Sequence, residues 1–152
     1  MNDKLLNIVA EKLEQVQKEL RFTPTTRVHS VTAHLEQDYD TNPDNMGIEL
    51  ADNKKFKEDY KNVNVCFVGI FITAEVYINT KYLCTSFSLR TPGLWGIPFT
   101  SYPKGPSNAD KESYREIALE EIDTLADMLT ALNVQFDKQQ LIDQALKNFI
   151  ND

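Results

Sequence analysis

Apolar and polar residues alternate over one long stretch of this chain and recur at helical spacing over three others. Val68, Ile70, Ile72, Ala74, Val76 and Ile78 occupy every second position, which predicts a long strand with one apolar face. Asn79-Thr80 follows as a polar break. Taken as the tip of a hairpin, it sets Val76 opposite Leu83, Ala74 opposite Thr85, Ile72 opposite Phe87 and Ile70 opposite Leu89. The other face then pairs Tyr77 with Tyr82, Glu75 with Cys84, Thr73 with Ser86 and Gly69 with Arg90. A slip of one residue would mix the faces, whereas a longer loop of the same parity would keep them.

Helical spacing appears first over residues 3–20, where Leu5, Val9, Leu13, Val16 and Leu20 recur at three- and four-residue steps. Thr23-Pro24-Thr25 ends that segment. Val31, Ala33 and Leu35 alternate with polar residues and predict a strand over 27–36. A polar loop of turn formers follows from Asp38 to Asn45. Residues 47–62 carry the weakest pattern, with Phe56 and Tyr60 suggesting one or two helical turns. Residues 91–107 hold four of the six prolines and predict an extended, apolar-decorated loop. Residues 108–132 form a helix with Ala118, Ile122, Leu125, Leu129 and Leu132 as its stripe, capped by Ser107 or Asn108 and stopped at Asn133. A last helix starts at Asp137, with Gln140 three residues on. The predicted fold is α+β: an antiparallel sheet of about three to four strands with helices packed on one face. One domain is expected over 1–152, with the amphipathic helix in 1–22, sheet and loops in 24–107, and two helices in 108–152.

Charge narrows the function classes. The 152 residues carry a net charge of −7 with 41% hydrophobic residues. An acidic surface repels phosphates, so direct nucleic-acid binding is disfavoured unless the charges segregate strongly, and the acidic excess allows a partner with a basic surface. No run of about 18 apolar residues predicts a membrane span, and the N-terminus lacks the apolar core of a signal peptide. The expected location is the cytoplasm.

Little in the sequence points to chemistry. His29 and His34 are the only histidines, and an unbroken strand would point them to opposite faces. Cys66 and Cys84 lie too far apart along the predicted hairpin for a disulfide, and neither has a local nucleophile motif. Asp38, Asp40 and Asp44 lack the glycine and terminal glutamate of an EF-hand loop; they read as a solvated turn or as part of a protein-binding surface. Gly93-Leu94-Trp95-Gly96 lacks the spacing and the Lys-Ser/Thr of a phosphate loop. No catalytic, cofactor or metal site is expected. Trp95 reads either as a plug on the edge of the core or as an exposed anchor. Glu75, Tyr77 and Tyr82 read either as ordinary cross-strand pairs or as a docking surface.

Three stretches carry a resemblance: Asp38-Tyr39-Asp40-Thr41-Asn42-Pro43-Asp44, the strand Val68 to Val76, and Thr91-Pro92-Gly93-Leu94-Trp95-Gly96-Ile97, followed by the helix Tyr114 to Leu132. Together they resemble small, mostly uncharacterised proteins encoded by phages, prophages and other mobile elements. The likeness spans residues 36–134 or so. In that group an acidic, serine-rich run follows the Gly-Leu-Trp-Gly-Ile segment, where this chain has Pro98-Phe99-Thr100-Ser101. The resemblance implies a setting, a mobile element in a bacterial host, and no reaction. The expectation is a non-enzymatic protein that binds and inhibits a host protein, such as a CRISPR effector, with a basic nucleic-acid-binding surface. The candidate contact residues are Asp38, Asp40, Asp44, Glu75, Tyr77, Tyr82 and Trp95. Two other readings stay open: self-association through the N-terminal helix as a structural or regulatory accessory, and a small-ligand-binding protein or enzyme.

Overall fold

A computed structural model of the chain describes residues 3–20, 24–46 and 52–150. The weakly patterned residues 47–51 lie outside the described residues. In chain order the elements are α1 (Asp3–Leu20), β1 (Thr25–Gln37), a 3-10 turn (Pro43–Asn45), α2 (Lys54–Lys61), β2 (Val65–Asn79), β3 (Cys84–Arg90), β4 (Leu94–Thr100), α3 (Asn108–Ala131) and α4 (Lys138–Leu146). The fold is α+β, with an antiparallel sheet of four strands.

β2 is the axis of the sheet. β1 pairs along one of its edges, while β3 and β4 share the other. β3 covers Thr73 to Asn79 and β4 covers Val65 to Ile70. Between them, buried Thr91 takes the place of a strand residue. Its hydroxyl accepts from the Ile72 N–H at 3.0 Å, and its own N–H donates to the Ile72 carbonyl at 2.9 Å. Two short strands therefore satisfy the edge of one long one.

The hairpin register corrects the sequence reading. Val76 faces Phe87, Ala74 faces Leu89, Thr73 faces Arg90 and Asn79 faces Cys84. The tip is the longer turn 80–83, closed by the Thr80 N–H and hydroxyl on the Leu83 carbonyl at 2.8 and 2.9 Å. Tyr82 sits in that turn instead of facing Tyr77, and Cys84 does not face Glu75. The register moved by an even count, so the faces stand as predicted. The apolar-decorated stretch after Thr91 also needs correction, because Leu94–Thr100 is a strand. Pro98 fits there because β4 is an edge strand, where a missing N–H costs no ladder bond.

One sheet face packs on α3 and α4, while α2 lies against the other, with Phe56 and Tyr60 tilted on buried Phe67 at 5.8 Å. Ile70, Ile72, Ala74 and Val76 of β2 and Val31 of β1 are buried against Tyr114, Ala118, Ile122, Leu125 and Leu129 of α3 and Leu141 and Ala145 of α4. α3 starts on a capping box: the Ser107 side chain accepts from the Asp110 N–H, and the Asp110 carboxylate accepts from the Ser107 N–H. It ends at Asn133, whose φ of +56° breaks the helical path. Asp137 caps α4 by accepting from the Gln140 N–H at 3.1 Å. Tyr114 donates to the Pro98 carbonyl at 2.8 Å, tying α3 to β4. Burial, with help from Asp110 and Cys66, pushes this phenol up to about 12, so it stays a donor at neutral pH. No helix among the described residues is long and apolar enough to cross a membrane.

Candidate binding surfaces

The sequence-predicted contact residues fall in several places. Asp38 is buried at the end of β1, where its carboxylate takes four hydrogen bonds. It accepts from the N–H groups of Asp40 (3.0 Å), Thr41 (3.2 Å) and Gly96 (3.1 Å) and from the Thr41 hydroxyl (2.7 Å). The Thr41 hydroxyl chiefly, and the backbone donors after it, hold the carboxyl below its usual range against the opposing cost of burial. Asp38 is thus a clamp between the loop after β1 and β4. Exposed Asp44 lies 2.7 Å from Lys57 of α2. Tyr82 is exposed at the hairpin tip, with the Lys81 ammonium 5.3 Å from its ring centre.

The Gly-Leu-Trp-Gly segment is held by β2, by the loop after β1 and by α3. Leu94 and Ile97 face Ile70 and Val68, so Trp95 and Gly96 together oppose Gly69 in a bulge. Gly96 has φ of +75°, a conformation that suits glycine. The Trp95 ring lies flat on Gly69 and stacks on Phe71 at 5.9 Å, and its indole N–H donates to the Pro92 carbonyl at 3.0 Å. The Gly93 N–H donates to Glu121 of α3 at 3.1 Å. Trp95 is both a plug and a surface residue, one ring face packed and 40% of the residue still exposed. A hollow of about 550 Å³ opens beside it, lined by Gln37, Asp38, Tyr39, Asp40, Thr41 and Trp95.

On the sheet face away from α3 and α4, apolar rings are covered by planar polar groups. Phe71 is 2% exposed. His34 stacks on it at 4.8 Å, and the Arg90 guanidinium lies 3.8 Å from its centre. His34 also makes a 2.7 Å hydrogen bond with the Thr73 hydroxyl. Farther along, His29 stacks on Tyr77 at 4.3 Å, with Arg27 at 5.5 Å from the same ring. The expectation that the two histidines face opposite ways is therefore wrong. β1 bulges between Val28 and Ser30, and the extra residue His29 turns to the same face as His34. Their partners stand six residues apart on β2, about 20 Å along the strand. Glu75, on the same face, lies between Ser30 and Ser88. Among the described residues no three histidine, cysteine or acidic side chains are grouped to hold a metal ion. Cys66 and Cys84 are free, and burial raises the Cys66 thiol.

Sequence reasoning missed a concentrated charged feature of α3. α3 carries seven acidic residues against two basic ones, a net charge of −5 out of −7 for the chain. Asp110 caps the helix and Glu121 holds Gly93. The other five, Glu112, Glu116, Glu120, Asp123 and Asp127, are all exposed. At about 100° per residue they fall within an arc of roughly 80°, opposite the buried stripe. They run along about 22 Å of helix. Arg115 lies 3.7 Å from Glu112 and Lys138 lies 2.6 Å from Asp123. Among the described residues no cation is paired with Glu116, Glu120 or Asp127. The signal was available: carboxylates at four-residue steps, out of phase with the apolar stripe.

The ridge and the stacked rings lie on opposite sides of the molecule, one beyond α3 and the other beyond the sheet. No family model matches the chain, and no curated protein or solved structure matches it either.

Proposed function

We propose that the chain is a non-enzymatic protein of a phage or other mobile element that binds and inhibits a host protein in the bacterial cytoplasm. The target surface is a basic one that normally holds nucleic acid, and a component of antiviral defence such as a CRISPR effector fits that description. The observation that carries this reading is the acidic ridge of α3. Five carboxylates on one straight face offer a linear array of negative charge without the bases or sugars of a nucleic acid. A groove lined by Lys and Arg complements such an array, and the long-range attraction speeds encounter. The resemblance to mobile-element proteins supplies the setting.

The test compares tagged wild-type protein with a Glu116→Lys, Glu120→Lys, Asp127→Lys variant in extracts of the bacterial host. Those side chains are exposed, so the fold should survive the change. The wild type is expected to retain a nucleic-acid-binding protein that excess duplex or single-stranded nucleic acid releases. The triple reversal should weaken that complex on the order of a hundredfold. Equal capture by both proteins, or a complex indifferent to nucleic acid, would remove the proposal.

A further inference from the structure

A second exposed surface has the opposite character. On α1, Leu5 (60% exposed), Leu6 (51%), Ile8 (47%), Val9 (50%), Leu13 (58%) and Val16 (48%) all stand largely open. The apolar stripes of α3 and α4, by contrast, are buried in the core. Leu6, Val9, Leu13 and Val16 follow one another at steps of three, four and three. That is the seam by which a helix packs along another helix of the same kind. Leu5 borders the seam at its N-terminal end, and Ile8 lies farther round the helix on the same side.

We infer that this face is covered by α1 of a second copy of the chain, so that the protein self-associates through a bundle of its N-terminal helices. Charge decides against a lipid surface. α1 holds three lysines against four acidic residues, a net charge of −1. An interfacial helix that binds anionic lipid carries an excess of Lys and Arg on its polar face, which α1 lacks. A near-neutral helix also gives two acidic chains a place to approach without strong repulsion. In a parallel arrangement Lys12 stands near Gln17 of the neighbouring helix, so no like charges meet. An antiparallel pairing of Leu6 with Val16 and Val9 with Leu13 would set Lys12 against Lys12. Leucine at the first seam position with β-branched valine at the second also suits more than two strands. Association would bring several acidic ridges into one particle and add avidity to a binding function. It does not depend on that function.

Light scattering across a concentration series, on the full chain, tests the inference. The protomer mass is 17.4 kDa. The wild type should give the mass of two or more copies, and a Leu6→Glu, Leu13→Glu variant should give one. Unchanged Trp95 emission in that variant shows that the sheet domain is still folded. A Gln15→Glu change on the polar side of α1 should leave the assembly intact. A parallel bundle further predicts that Leu13→Cys chains cross-link through that position on oxidation. A wild-type mass of one copy at every concentration overturns the inference. So does an assembly that survives the double change, or monomeric protein that floats with phosphatidylglycerol vesicles.

Discussion

Replacing Asp38 with alanine is expected to lower the unfolding free energy by about 3–4 kcal/mol. The carboxylate accepts four hydrogen bonds, and without it the N–H groups of Asp40, Thr41 and Gly96 lose an acceptor in or near the interior. A hydrogen bond to a charged group contributes roughly 1.5–3 kcal/mol, and bonds sharing one acceptor do not add fully. In a domain of this size the change should appear as a fall of about 10 °C in Tm. Asp38→Asn, which keeps one carbonyl oxygen, should cost less. The pH dependence has a definite sign. The folded carboxyl is held below its unfolded value of about 3.9. Its stabilisation is therefore fully present above that value and is lost as pH falls through the lower folded one. Wild-type protein should lose stability more steeply than Asp38→Ala below about pH 4. Parallel acid profiles for the two proteins would contradict the clamp.

Gly69→Ala is expected to cost about 2–3 kcal/mol, a large effect for one methyl group. A Cβ at that position would lie 2.2 to 2.5 Å from three carbons of the Trp95 ring. Both cannot occupy the site, so the indole must leave its seat on β2. Overpacking of a well-filled site costs about 1–3 kcal/mol, and the lost stacking on Phe71 adds to it. Trp95 is the only tryptophan, so its emission should shift to the red as the ring enters water. A Trp95→Ala background should recover most of the cost of Gly69→Ala, because the obstructing ring is gone. A glycine-to-alanine change with neither red shift nor coupling would show that the ring is not seated there.

These two residues also show what the sequence could and could not tell. The strand core was legible because burial on one face imposes a period of two, and no loop detail can change which of Ile70 or Phe71 faces the helices. Helices α3 and α4 were legible for the same reason at their own period, and α1 by the spacing of apolar residues that stand exposed. The hairpin pairing was not, because loops of two and four residues share a parity and the Thr80 hydroxyl closes the longer one. Pro92, Gly93, Gly96 and Pro98 disguised β4, since each residue type argues against a strand. The glycine fits a bulge and Pro98 an unpaired edge, and both are visible only with the partner strand in place. Asp38 looked like one more acid in a polar loop, because its burial depends on Gly96, 58 residues away. The histidines were misassigned by one bulged residue. The ridge on α3 is spelled out in the sequence as acids at four-residue steps, but a net charge for the whole chain averages it away.

Carboxylate footprinting of the complex with the captured host protein tests the binding face most directly. Carbodiimide coupling of an amine labels accessible Asp and Glu side chains, and mass spectrometry reads each site. Glu112, Glu116, Glu120, Asp123 and Asp127 should all label in the free protein and be protected in the complex, while Asp40, Asp44 and Glu75 label equally in both. Unchanged labelling along α3, with protection at Asp40, Asp44 or Glu75 instead, would place the partner on the other side of the molecule and contradict the account.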